Sequence, residues 1–357
     1  MRIIALLVVS FVLAGCDPFA QPESMLDEYN LRLARVLEVE AQLTPVPTAP
    51  EFPRMRERVR EIEPISVSML DFLGLYGCEL QHVVGERNST LGRVAHPVSR
   101  LDYERRFILA ADECVAIIER EALAERLVEV NALKRESLVD AAWNAVWGSR
   151  EIEHHFTRSR GPLPVRMDRN RLSESVENNK LLEHRIRALL EGDLEQDLEA
   201  LDAVYQRWLN DALAGQGVRS AILVATRLDD ATRLIEQRLG ERPLCIQGRA
   251  NRQAEIMRNM FGSVYAAEVQ PYLADVQRVR RELFPRWARW LSLATGAPAM
   301  PSTALLRPCW MKAASTTTGR SSTRPSPVTP TPGRHCSGSA ACGPGCIDRP
   351  PFQSPLS

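Results

Sequence analysis

The residues best equipped for chemistry stand together at Glu86, Arg87, Asn88, Ser89 and Thr90, with Arg93 three positions on. A carboxylate, two guanidiniums, an amide and two hydroxyls this close could bind an anion or assist a proton transfer. The same side chains also cap helices, because Asn, Ser and Thr accept hydrogen bonds from the unpaired N–H groups of a first turn. Capping is the commoner use of such a loop. Binding through Glu86, Arg87, Asn88, Ser89, Thr90 and Arg93 is the functional alternative.

Elsewhere the chemistry is thinner. Glu151, Glu153, His154 and His155 form the one acid–imidazole cluster of the body. A helical zinc site needs two histidines four residues apart, and adjacent helical side chains diverge by about 100°. The cluster therefore reads as a solvated helix end, and no metal site is expected. Gly215-Gln216-Gly217 follows a helical pattern, not a strand, and lacks a third glycine, so it reads as a turn and not a nucleotide loop. No Gly-x-Ser-x-Gly elbow occurs. No catalytic residue and no cofactor can be assigned. Trp143, Trp147, Trp208, Trp287 and Trp290 read as packing residues.

Cysteines offer a different chemistry. The body holds Cys78, Cys114 and Cys245, and three leave one over. Cys78 with Cys114 is the favoured pair, closing a loop of about 35 residues and adding roughly 2–4 kcal/mol. Cys245 is a rival for either partner.

The elements that must position these residues are helical. Met25, Tyr29, Leu33, Val36 and Leu37 mark a first helix within residues 22–43, and four prolines between 44 and 53 suggest a stiff spacer. Met69, Phe72, Leu73, Tyr76, Leu80, Val83 and Val84 recur at helical spacing, which predicts one helix with Cys78 on its far side. Further stripes cover 101–118, 127–147, 172–213 with a break near Gly192, and 218–239. The last reach, 250–293, would be about 65 Å long if straight, and Pro271 and Pro285 mark expected interruptions. No alternating β pattern competes. The fold class is all-α, an elongated multi-helix bundle.

The ends differ from the body. Arg2 precedes an apolar run at 3–12 that is too short to span a bilayer, which needs about 20 residues, and so resembles a secretory signal. Leu13-Ala14-Gly15-Cys16 resembles the lipobox of bacterial lipoproteins. That likeness implies removal of residues 1–15 and acylation of Cys16, whose chains would hold the protein to a lipid bilayer. Asp17 favours the inner membrane, with the outer membrane as the alternative. Beyond 295 only one acid, Asp348, remains, the helical period vanishes, and half of the eight cysteines fall there. Residues 296–357 read either as a disordered tail or as an out-of-frame translation of a GC-rich gene.

Formal net charge is zero overall, but residues 17–295 carry 44 acidic and 38 basic residues, a net of −6. That balance disfavours nucleic acid and anionic lipid as partners. Only Lys134, Lys180 and Lys312 are lysines among 45 basic residues, and the arginines look evenly spread.

Several segments carry a family likeness. Leu70-Asp71-Phe72-Leu73, Gly77-Cys78-Glu79-Leu80-Gln81, residues 86–94 and Tyr103-Glu104-Arg105-Arg106-Phe107 resemble an uncharacterised family of Gram-negative lipoproteins, a domain of unknown function. Pro243-Leu244-Cys245 and Val269-Gln270-Pro271-Tyr272-Leu273 resemble its later landmarks, and the likeness spans 13 to about 295. It implies compartment and architecture, not an activity. The expected organisation is a signal peptide at 1–15, an anchor, short helix and spacer at 16–53, a helical domain at 54–295, and the tail. The expected role is a tethered periplasmic interaction or envelope-structural module with an envelope protein as partner. A bundle that encloses a small ligand is the alternative, and an enzyme using the 86–93 loop ranks last.

Overall fold

The computed structural model describes residues 19–292 except 50, 66–67, 243 and 247–248. Cys16, Asp17, the expected signal peptide at 1–15 and the expected tail at 296–357 lie outside the described residues. Among those described the architecture is an elongated, almost entirely helical bundle, and the exception is a pair of two-residue strands.

Helix α1 (Pro22–Leu37) opens with proline in its first turn, where no N–H partner is required, and ends at Glu38 in the left-handed region at φ 56°. Met25, Leu26, Tyr29, Leu33 and Leu37 are all buried. The helix packs on α11 (Leu213–Glu241) and α12 (Arg252–Met260). The sequence places this helix in a stalk before the main body; the structure makes it part of the core, because its apolar stripe is too wide to leave in water. The proline-rich segment behind it is also docked. Thr44 donates its N–H and hydroxyl to Asp230 at 3.1 and 2.7 Å, and its carbonyl accepts from Arg227 at 2.6 Å. Phe52 stacks on Phe156 at 4.8 Å. A short turn, α2 (Met55–Arg58), then buries Arg58, whose guanidinium donates to the Trp147 carbonyl and pairs with Glu153.

The predicted single helix over 69–84 is two. Helix α3 (Met69–Gly74) stops, Gly77 turns at φ 90°, and α4 (Glu79–Asn88) begins with Cys78 at its N-cap. The break rotates the stripe. Leu80, Val83 and Val84 are buried, Met69, Leu73 and Tyr76 are exposed, and Cys78, expected on the far side, is buried. A positive φ is cheap only for glycine, and periodicity carries no trace of it. Helix α5 (Thr90–Arg93) follows, and then the long hairpin α6 (Pro97–Val115) and α7 (Glu121–Trp147).

That hairpin joins two cores. Toward the C-terminus of α7, Trp143, Val146 and Trp147 enter the main core with α1, α8 (Arg150–His155), α9 (Arg169–Leu190), α10 (Asp202–Asn210), α11 and α13 (Gln270–Ser292). Toward its N-terminus, Leu123, Leu127 and Val130 form a smaller core with Leu80, Val83, Val84, Phe107 and Ala111. Cys78 and Cys114 are joined in a disulfide inside this second core, with Cα atoms 5.4 Å apart. Cys245 is engaged in a disulfide of its own.

Gly192, at φ 101°, stands where α9 ends. Gly215-Gln216-Gly217, expected as a turn, lies instead in the opening turns of α11. A Cβ on Gly215 would come within 1.9 Å of the Thr157 carbonyl oxygen, so glycine is required by close backbone approach. Cys245–Ile246 and Arg249–Ala250 form the hairpin, an element the sequence pattern does not announce. The closing rod runs unbroken from α12 through a π-helical stretch (Phe261–Val269) into α13. The change of helix type precedes Pro271, which falls in the first turn of α13, while Pro285 lies within that helix.

Candidate functional site

The loop between α4 and α6 is built by capping. Ser89 accepts from the Gly92 N–H at 3.0 Å and so starts α5. Gly92 sits so tightly on the preceding turn that a Cβ would lie 2.3 Å from the Glu86 carbonyl oxygen. Arg87 donates to the Gly92 carbonyl at 2.9 Å, Arg93 to the Asn88 carbonyl at 3.1 Å, and Glu86 pairs with Arg106 at 2.9 Å. Asn88, Ser89, Thr90 and Arg93 are otherwise exposed. The six residues are therefore neighbours, but their charged ends are tied to the local backbone and to α6 and do not converge on a common point.

What the loop does border is a groove of about 770 Å³ between the two cores. Arg87 and Asn88 form one lip, Val59, Arg60 and Ile62 another, and Tyr103, Glu104 and Lys134 line it from the hairpin. Lys134 pairs with Glu104 at 2.7 Å, and its ammonium also lies 5.3 and 5.4 Å from the rings of Tyr103 and Phe107. Burial pushes the Tyr103 phenol above its ordinary value; Glu104 adds to the shift and Arg87 partly opposes it. Arg60 lies 4.2 Å over Trp143 and pairs with Asp140 at 2.7 Å. Lys134, Arg60 and Arg87 each have a partner carboxylate or ring, while Arg100, also in the lining, donates to the Arg93 carbonyl at 3.1 Å, so the groove is amphipathic. Residue type and spacing do not bring Glu104 and Lys134 together, but one signal was visible. Lys134 interrupts an apolar stripe of Leu127, Val130 and Leu138, where a lysine requires a partner.

The acid–imidazole cluster is taken apart by the fold. Glu151 reaches His96 at 3.0 Å, Glu153 reaches Arg58, and His154 is exposed. His155, expected at a solvated end, is fully buried among Phe156, Trp208 and Trp287. Desolvation lowers its pKa to about 4, and the Asp211 carbonyl, 3.0 Å from Nδ1, opposes the shift only in part. Among the described residues no group of three or more His, Cys, Asp or Glu is placed to hold a metal ion. All five tryptophans named above are buried.

Beside the second core lie exposed apolar residues, of which Met69, Leu73 and Tyr76 belong to the stripe expected to form one helical face. Met69, Leu70, Leu73 and Tyr76 are 72, 73, 58 and 87 % exposed. They lie on and just after α3, which is held to the start of α7 by Asp71 and Arg120 at 2.8 Å. Ile117, in the α6–α7 turn, is also exposed. Isolated apolar residues on a surface mean little, but three on one short helix and a fourth two residues beyond it make a concentration of exposed apolar side chains.

Two helical cores and a bridging hairpin define the class: an almost all-helical bundle, consistent with a structural or interaction module. Residues 26–320 match the family described as "Protein of unknown function (DUF3080)", and the chain belongs to that family. The match extends beyond residue 295, where the sequence-based likeness was expected to stop. No curated protein and no solved structure matches the chain. Among the described residues no helix is long and apolar enough to cross a membrane.

Proposed function

We propose that the protein is an acylated periplasmic module that docks another envelope protein through the apolar tip at Met69, Leu70, Leu73 and Tyr76. The exposure of these four side chains on a disulfide-clamped lobe carries the reading. A helix held in place by Cys78–Cys114 and Asp71–Arg120, yet showing its apolar residues to solvent, is organised for a partner more than for its own core. Leu13-Ala14-Gly15-Cys16 supports the tether, with acyl chains on Cys16 entering the bilayer and Asp17 favouring the inner membrane. The test is photocrosslinking in cells from Tyr76, with exposed Glu177 on α9 as the control position. A discrete adduct from Tyr76 that disappears with Leu70→Asp, and is absent at Glu177, is the expected result. Equal labelling from both positions would end the reading.

The groove supports a second reading, a small-ligand site. Its volume lies within the usual range for ligand pockets, about 300–1,000 Å³, and its lining mixes apolar walls with a few fixed charges. An amphipathic ligand there would protect Tyr103 and Lys134 and leave Tyr76 unchanged. Chemical footprinting in the presence of candidate ligands separates the two readings.

A further inference from the structure

The acidic balance of the body hides one strongly basic end. Residues 156–173 contain Arg158, Arg160, Arg166, Arg169 and Arg171 against a single acid, Asp168. The arginines are not evenly spread after all. Most of this run is the non-helical connection between α8 and α9, and it borders the start of α1. Arg160 and Arg171 share with Gln21, Pro22 and Glu23 an open depression of about 720 Å³. Close packing of Gly215 against Thr157 holds the connection to α11, and Arg219 of that helix reaches the Arg158 carbonyl at 3.4 Å.

Three of the nearby acids are already engaged, which leaves Glu23 as the one further carboxylate lining the depression. Asp211 takes Arg171 in a two-point contact at 2.9 and 3.0 Å, Glu174 pairs with Arg207, and Asp168 caps α9 by accepting from Asn170 at 2.9 Å. Arg160, Arg166, Arg169 and Arg219 are exposed, and no ion pair ties them to a carboxylate among the described residues. This face keeps a surplus of positive charge on a protein that is acidic elsewhere.

We propose that this arginine face is the surface by which the protein lies on an anionic phospholipid bilayer. The inference rests on the lipid-anchored reading. Pro22 is only six residues from Cys16, so even a fully extended connection reaches about 20 Å. The end of the body that carries Gln21, Pro22 and Glu23 must stay near any membrane that holds Cys16, and that is the arginine end. A basic cluster beside an acyl anchor adds a second, electrostatic signal, about 1 kcal/mol per arginine near an anionic surface. The acidic remainder is repelled by the same surface, so charge also sets orientation. Phe156, two residues before Arg158, packs on Trp147 at the last turn of α7, with ring centroids 6.4 Å apart. The apolar tip sits at the other end of that helix, about 40 Å away for 27 residues. Docking the arginine face thus holds the tip off the membrane.

The experiment uses the full chain purified from membranes and reconstituted on vesicles of phosphatidylcholine alone or with phosphatidylglycerol. Flotation reads the anchor, and hydrogen exchange over 157–171 reads the face. The expected result is flotation with both vesicles, and protection of 157–171 with phosphatidylglycerol that disappears at 0.5 M salt. Arg160→Glu, Arg166→Glu and Arg169→Glu together should float equally well yet lose the protection, shifting the docked ratio by about 100-fold or more. Flotation with equal exchange on both vesicles would overturn the arginine face while leaving the anchor intact. The same protection from inorganic phosphate on neutral vesicles would reassign the face to a soluble anion and overturn the bilayer assignment. Failure to float on neutral vesicles would remove the anchor, and the orientation would fall with it.

Discussion

The two cores of this protein solve the same problem with unequal means. The main core draws on α1, the C-terminal half of α7 and every long helix after it, and encloses Trp287 within ring-contact distance of both Trp147 and Trp208. The second core has the ends of one hairpin and α4, and it covers one side of α4 but not the outer face of α3. A large core buries its surface fraction easily; a small one does not, and covalent links commonly make up the difference. The Cys78–Cys114 disulfide lies in the small core, and the exposed apolar helix lies beside it. The lesson is a division of labour: one lobe is packed for stability, and the other is stapled so that it can leave its apolar residues uncovered.

The largest expected effect breaks the main core at its charged seam. Asp230 is fully buried and receives Thr44, Arg227 and Arg233. Asp230→Ala leaves the Arg227 guanidinium buried with only the half-exposed Asp27 as a charge partner. A loss of about 3–5 kcal/mol of global stability is expected, measured by urea denaturation. Breaking the small core should look different. Cys114→Ala is expected to cost about 3 kcal/mol, because the denatured chain regains the freedom of a 36-residue loop. The damage should be local: hydrogen exchange should accelerate over 75–84 and 107–114 while the tryptophan cluster stays protected. Uniform acceleration across both lobes would show that the cores are one cooperative unit.

How much of this was legible in the sequence depends on what each feature needs. The stripe over 127–147 and the break at Gly192 were plain, because spacing and a glycine suffice to define them. The stripe over 69–84 misled. Its spacing is helical on both sides of Gly77, but neither the positive φ nor the burial of Cys78 appears in a hydrophobic pattern. Gly215 also misled, since its glycine answers the Thr157 backbone and not a turn. The capping chemistry of Ser89 was readable because it is local. The groove was not, because Glu104 and Lys134 meet only when α6 packs on α7.

A pH titration sharpens the contrast between the cores by about 3 kcal/mol at most. His155 belongs to the main core, whereas His82, beside the small one, is exposed. Burial holds His155 neutral in the folded state down to about pH 4, against an ordinary value of 6.5. Above 6.5 neither state binds the proton and the full stability is present. As pH falls from 6.5 toward 4, only the unfolded chain takes the proton up, and stability drops by up to about 1.4 kcal/mol per pH unit. Below 4 both states bind it and this loss levels off. His155→Phe should remove that component, so the difference between the two denaturation curves should shrink steadily as the pH is lowered to 4. A constant difference would mean that His155 is already protonated in the folded protein.

The smallest effect on stability carries the most functional weight. Leu73→Glu and Tyr76→Glu change side chains that are 58 and 87 % exposed, so each should alter the denaturation midpoint by no more than about 0.5 kcal/mol. In an ordinary lobe such changes would be silent. Here they place two carboxylates on the face proposed to meet a partner, and a charge desolvated at an apolar contact costs more than the contact returns. Loss of the Tyr76-region adduct from a neighbouring probe at Leu70, with the midpoint unchanged, would separate docking from folding. If both variants instead lowered the midpoint by several kcal/mol, α3 would be part of the small core after all, and the division of labour between the lobes would have to be abandoned.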